Sequence, residues 1–142
     1  MHFGDVFMLF NQATDGCLAC DPQEGLSDES FAATSTWYTE PCARNTFVMK
    51  RWEGRGDKKD AMFDFKDDVV HFGQKIQLMC NPVLLNGQQA FMSSAPRTPT
   101  MFSRYSRNQE VSVSYSAGWM ERHPVMIEEQ GKGKGFGCKL II

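Results

Sequence analysis

A chain of 142 residues, 42% of them apolar and 23% charged, is long enough to bury most of its unfolded surface in one core, which excludes a wholly disordered polymer and a fold that depends on staples. A formal charge of -2 excludes an overall attraction for nucleic acid or for an anionic membrane. No stretch reaches the length of a membrane span, and a start that carries His2 and Asp5 lacks the basic and apolar blocks of a signal peptide.

Five irregularly spaced cysteines fit reduced thiols in the cytosol better than a secreted framework, so no disulfide is expected.

In chain order, the first predicted element is a strand over about Phe3 to Phe10. A loop from Asn11 to Gly16 follows, and Cys17 to Cys20 returns as the second arm of a hairpin. Residues 21 to 36 are expected to be extra loop. Arg44-Asn45 then precedes the apolar run Thr46-Phe47-Val48-Met49. The segment from Glu53 to Asp60 is a polar, glycine-punctuated turn; Met62 to Phe65 reads as a short strand, and Asp67-Asp68 as a turn. A second strand runs from Phe72 to Cys80. It passes through Asn81-Pro82 and Asn86-Gly87 and returns along Gln88 to Ser94. The tail from Arg122 to Ile142, with glycine and lysine alternating over 131–135, is expected to be flexible. No sustained 3.6-residue apolar period occurs, so no long helix is predicted.

The two halves repeat. His2-Phe3-Gly4-Asp5-Val6-Phe7-Met8-Leu9 corresponds to His71-Phe72-Gly73-Gln74-Lys75-Ile76-Gln77-Leu78, and Arg44-Asn45 to Arg107-Asn108. A repeated unit is first a unit of architecture. The expected organisation is one all-β domain over 1–142. Lobe one covers about 2–52, a connecting segment 53–70, lobe two about 71–120, and a divergent tail 121–142.

Alternation along the aligned strands sends Phe7, Leu9, Ile76 and Leu78 to the core. It sends Val6, Met8 and Phe10 outward where the second copy has Lys75, Gln77 and Met79, and Phe47 and Met49 outward where the second copy has Glu110 and Ser112. An apolar outward face on one lobe marks a docking surface; the bland alternative is that the charged segment 50–68 folds over it.

No chemistry assembles around the reactive residues. Cys17 and Cys20 have no second pair for zinc, and three positions apart on a strand they point to opposite faces. His2 and His71 occupy equivalent repeat positions, which makes them structural. Asp57, Asp60, Asp64, Asp67 and Asp68 lack the order of a calcium loop. The chain is expected to be non-enzymatic, without metal or cofactor.

The ordered series Phe3-Gly4-Asp5-Val6-Phe7-Met8-Leu9, Arg44-Asn45-Thr46-Phe47, Phe72-Gly73-Gln74, Phe91-Met92-Ser93-Ser94 and Asn108-Gln109-Glu110-Val111 resembles the cilia- and flagella-associated protein 161 family over about residues 2 to 115. That resemblance implies MIR-like, β-trefoil-like lobes. Only 29 residues follow Val113, too few for a third lobe, so an incomplete or open trefoil is expected. It also implies a structural microtubule inner protein in the axoneme, bound to the luminal wall of doublet microtubules in a cilium or flagellum. The partners implied are α/β tubulin and other microtubule inner proteins.

The contact candidates are then Val6, Met8, Phe10, Phe47 and Met49, with Arg51, Arg55, Lys58, Lys59 and Arg104 as bases for an acidic tubulin surface. Arg44 and Arg107 are expected to make the same structural bond in each lobe. The competing expectation is a soluble MIR-like module that binds a sugar or peptide, with Trp37, Trp52 or Trp119 as platforms.

Overall fold

The repeated words of the sequence are turns. In the computed structural model, which describes residues 1–12, 14–27, 29–52, 65–94, 111–115, 125–128 and 139–141, the His2 N–H donates to Asp5 Oδ2 at 2.7 Å and the Asp5 N–H returns to the His2 carbonyl at 3.2 Å. The second copy does the same: the His71 N–H donates to Gln74 Oε1 at 3.1 Å and the Gln74 N–H to the His71 carbonyl at 3.2 Å. Gly4 and Gly73 hold φ of +93° and +82°, the left-handed backbone that the third residue of a type II turn requires. Asp or Gln serves equally at the fourth position because either offers a side-chain oxygen.

A third turn of the same bonding pattern spans Cys42 to Asn45, with the Cys42 N–H on Asn45 Oδ1 at 2.8 Å and the Asn45 N–H on the Cys42 carbonyl at 3.3 Å. Each turn launches a strand. The first leads into β1 (Val6–Phe7), the third into β5 (Phe47–Arg51) and the second into β6 (Lys75–Cys80).

The other strands are β2 (Phe10–Asn11), β3 (Gly16–Ser27), β4 (Ser30–Thr36), β7 (Ala90–Ser94), β8 (Val111–Tyr115), β9 (Val125–Glu128) and β10 (Lys139–Ile141). The all-β expectation holds. Among the described residues the helical content is a 3-10 turn, Pro82–Leu85, capped by Asn81 and closed by Asn86 in the left-handed region. One sheet joins the strands in the order β1-β5-β6-β7-β8-β4-β3-β2, antiparallel throughout, with β9 paired antiparallel to β6 and β10 parallel to β9. Strands of the two sequence halves are interleaved, through β5 on β6 and β4 on β8.

The two ends of that path, β1 and β2, are separated in the chain by Met8 and Leu9 alone. One short stretch therefore lines β5 with its first half and β3 with its second, and the Leu18 N–H reaches the Leu9 carbonyl at 2.9 Å. The sheet is open as a ladder of hydrogen bonds, yet its ends are tied covalently, so it must roll. Inside the roll lie Cys20, Phe31, Phe47, Met49, Ile76, Leu78, Cys80, Leu85, Ala90, Met92 and Val113, with Phe7 and Leu9 packed against them. Phe7, Leu9, Ile76 and Leu78 thus point where alternation sent them. Cys17 and Cys20 do stand on opposite sides of β3: both are buried, and Cys20 alone belongs to the core cluster.

Four expectations are corrected. The first strand does not run unbroken from Phe3 to Phe10: residues 2–5 are a turn and the strand is two pieces, Val6–Phe7 and Phe10–Asn11, just as Phe72 and Gly73 belong to the turn before β6. Residues 21–36 are no loop, because β3 and β4 form the longest hairpin of the described chain. Register shifts between Asp21 and Ser27 absorb the Pro22-Gln23-Glu24 segment that reads as loop in sequence. The tail is not uniformly free, since Val125–Glu128 adds to the edge of β6 and Lys139–Ile141 adds to it in turn. Phe65 is not in a strand, and the rest of the proposed strand 62–65 lies outside the described residues.

Asn45 carries the greatest polar burden in the interior. Wholly buried, it accepts from Cys42 and donates through Nδ2 to the Tyr38 and Glu40 carbonyls at 3.2 and 2.8 Å. Thr46 beside it donates to the Cys42 carbonyl and accepts from Asn81 Nδ2, which links this turn to the 3-10 cap. Replacing Asn45 by Ala strands buried backbone groups, and the expected loss is about 2 to 3 kcal/mol of unfolding free energy. Urea denaturation checks this, as a lower midpoint with an unchanged slope.

Candidate interaction surface

Alternation that sends Phe7 inward sends Val6 outward, and the register carries that outward position across the sheet. Val6 lies opposite Val48, Val48 opposite Met79, and Met79 opposite Phe91. The outer side of four neighbouring strands therefore bears a continuous apolar row. Its character changes along its length, because Val6 is 61% exposed and Val48 half-buried, while Met79 and Phe91 are buried. Beyond Phe91 the row turns polar at Ser114 and Ser30. Ser93 there bridges to the hydroxyls of Ser112 and Ser114 at 3.3 and 3.1 Å.

A second outward row starts at Phe10, 51% exposed, and runs through Cys17 to Thr36. Trp37, the residue after Thr36, is 85% exposed, and Tyr38 is exposed with its hydroxyl on Glu40. Val6 and Phe10 thus mark an apolar strip at the seam where the sheet's ends are joined, and Lys50, two residues from Val48 on the same side of β5, adds an exposed cation.

Of the residues expected at a contact, Val6 and Phe10 point outward as alternation requires, and Met8 between them is half-buried and outside the core cluster. Phe47 and Met49 are corrections. Both are fully buried in the core, Phe47 against Phe7 with ring centroids 6.4 Å apart. The mistake is one residue of register. In β8 the inward residue is Val113, whereas matching the Arg-Asn pairs aligns Met49 with Ser112, one position earlier and so on the other face, where it meets Ser93. A slip of one reverses every side chain of a strand. Val48, passed over in sequence, is the outward residue of β5.

Arg51 has partners within its own chain. Its guanidinium donates to the Phe65 and Asp67 carbonyls and lies over the Phe3 ring, 4.4 Å from the centroid. It thereby fastens the incoming 65–70 segment beside the first turn, where the Phe3 N–H meets the Asp68 carbonyl and the Val70 N–H the Met1 carbonyl. Phe65 stacks on His71, whose Nε2 lies 3.0 Å from the Asp67 carboxylate. The described part of the 50–68 segment thus braces the turns, and Val6 and Phe10 remain exposed.

Arg44 donates from Nε to the carbonyl of Cys20 in strand β3 at 3.1 Å and adds an ion pair with Asp21. Arg55, Lys58, Lys59, Arg104 and Arg107 lie outside the described residues.

The sequence named Trp37 only as a sugar platform. Its signal as a surface residue was its place directly after the polar run Thr34-Ser35-Thr36. Trp52 is occupied by the Lys75 ammonium, 4.9 Å from its ring. Trp37 and Trp52 follow β4 and β5, which are not neighbours in the sheet, and Trp119 lies outside the described residues. Among the described residues no group of three or more His, Cys, Asp or Glu side chains could hold a metal ion, and no helix is long and apolar enough to cross a membrane.

If Arg51 is a brace, Arg51→Met lowers the melting temperature and opens 65–70 to limited proteolysis. The expected cost is about 1 kcal/mol for the lost charge-assisted bonds. Arg51→Lys shares the defect, because an ammonium cannot span two carbonyls as the planar fork does. Compared with known protein families and with curated proteins, the chain matches none.

Proposed function

We propose that this chain is a non-enzymatic structural protein with incomplete β-trefoil-like, MIR-like lobes. It binds the luminal wall of ciliary or flagellar doublet microtubules against α/β tubulin and beside other microtubule inner proteins. Two things support the reading. One is the ordered series of words from Phe3-Gly4-Asp5 to Asn108-Gln109-Glu110 that resembles the cilia- and flagella-associated protein 161 family. The other, and the observation that carries it physically, is the exposure of Val6 and Phe10 on the outer side of the seam.

Apolar side chains held outward on a rigid strand gain about 25 cal/mol for each Å² removed from water, provided that a partner covers them. A polymer wall offers such cover at every repeat, so modest affinity per copy suffices when copies and neighbours act together. The exposed Lys50 beside the strip adds attraction for an acidic wall. Phe47 and Met49, buried in the core, no longer belong to the contact, and Arg51 is engaged within its own chain.

The test is fractionation. Expressed in flagellated cells, the chain is expected to stay with doublet microtubules after salt stripping, and release with the soluble matrix overturns the reading. The double variant Val6→Ser/Phe10→Ser is expected to melt within about 2 °C of the parent, as exposed substitutions do, and to lose most of its retention. Equal retention of variant and parent removes the apolar strip from the account, whereas Phe47→Ser unfolds the core and tests nothing about the wall.

A further inference from the structure

Cys20 on β3 and Cys80 at the end of β6 have their sulfur atoms 2.8 Å apart. The two strands are not neighbours. Between them along the sheet stand β7, β8 and β4 in one direction, and β5 with the tied β1 and β2 in the other, so the contact crosses the inside of the roll. Both residues are buried in the core cluster.

Their backbones are held independently of the contact. The Cys20 N–H donates to the Arg44 carbonyl at 2.8 Å, and its carbonyl accepts from Arg44 Nε. Cys80 lies in register with Phe47, and the next residue, Asn81, is fixed by its bonds to Thr46 and Val83. Two sulfurs so placed lie well inside the separation of non-bonded sulfur atoms and within about 1 Å of a disulfide bond length. None of the other described cysteines has such a neighbour: Cys17 faces the opposite side of its strand, and Cys42 sits in the third turn.

We propose that Cys20 and Cys80 are a disulfide-forming pair, a core staple between β3 and β6 that closes when the chain folds in contact with a disulfide oxidant and stays open as two thiols in a reducing compartment. With oxidised glutathione as oxidant, one cysteine thiolate attacks the glutathione disulfide while the chain is still open, forming a mixed disulfide and releasing one glutathione thiolate. The other cysteine thiolate then attacks the protein sulfur of that mixed disulfide and expels the second glutathione. Two thiols have lost two protons and two electrons, and one glutathione disulfide has become two glutathione thiols.

In the folded chain the hydrogen bond with Cys20, together with burial, pushes the Cys80 thiol far above its ordinary range. The closed fold is thus a poor nucleophile toward outside reagents, which puts the exchange before or during folding. The proposal is independent of the wall-binding reading, since it concerns the interior alone.

The experiment refolds the full chain from denaturant in a buffer of reduced and oxidised glutathione, quenches with acid, and maps disulfides in non-reduced peptides by mass. Five cysteines allow about ten single pairings by simple counting. The expected result is one dominant cross-linked species joining the Cys20 and Cys80 peptides, two hydrogens lighter than the reduced chain. Its melting temperature should be about 10 °C higher than in the presence of reductant, as closing a long loop implies. A mixture of pairings, a dominant bond to Cys17, Cys42 or Cys138, a chain that stays fully reduced, or an oxidised form that melts no higher than the reduced one overturns the proposal. The map is made on the unsubstituted chain, so no result depends on whether Cys20→Ala or Cys80→Ala folds.

Discussion

The structure depends on a stretch of six residues, Val6 to Asn11, serving as both ends of one sheet. Val6-Phe7 completes the ladder on β5, Phe10-Asn11 completes it on β3, and only Met8 and Leu9 lie between. A sheet finished this way cannot lie flat, because its first and last strands are fixed within a few residues of each other. Rolling gives the chain an inside, and the inside is filled from every strand between β3 and β8. The two strands at the seam are the shortest in the described chain, so side-chain packing by Phe7 and Leu9, more than ladder bonds, holds them in place.

The turn that recurs at His2, Cys42 and His71 explains why the sequence repeats without repeating any chemistry. In each, a side-chain oxygen at the fourth position accepts the first residue's N–H, which would otherwise need water at the mouth of a packed sheet. The turn thus fixes the direction in which β1, β5 and β6 set out. Two of these turns lie side by side, tied through Met1–Phe3 and 68–70, and Arg51 clamps the pair from β5. The histidines start turns, and their imidazoles pair with nearby carboxylates on the surface.

What was legible in the sequence was what local chemistry dictates. The repeat of His-Phe-Gly was legible, though as the opening of a strand and not as the turn that precedes one, and alternation placed Phe7, Leu9, Ile76 and Leu78 inside and Val6 and Phe10 outside. The side of the sheet taken by Phe47 and Met49 was not legible, because it depends on which residue of β6 each one faces. Counting from a repeated Arg-Asn pair cannot detect a one-residue offset between copies. The β3–β4 hairpin was hidden by Asp21-Pro22-Gln23-Glu24-Gly25, a loop-like composition that the sheet accommodates as an irregularity. Strand β9 was hidden because its partner is β6, fifty residues back in the chain, and no local pattern announces a partner at that distance. The basic residues read as a surface group because their charge is visible in sequence, whereas the carbonyls that engage Arg51 are not.

The same roll decides which apolar side chains are left over. Every strand has two faces, and a closed interior can take only one of them, so the outer face must be polar, covered or exposed. Around Ser93 it is polar, with that hydroxyl bonded to those of Ser112 and Ser114; at Met79 and Phe91 it is covered; at Val6 and Phe10 it is exposed. The fold gains nothing from apolar residues at those last two positions, since Phe7 and Leu9 already supply the inward contacts of the seam. Lys75 and Gln77 show that the homologous face of β6 tolerates polar residues after the same turn. Val6 and Phe10 are therefore not demanded by packing, which is the physical reason for treating the seam as the place where this protein meets another surface.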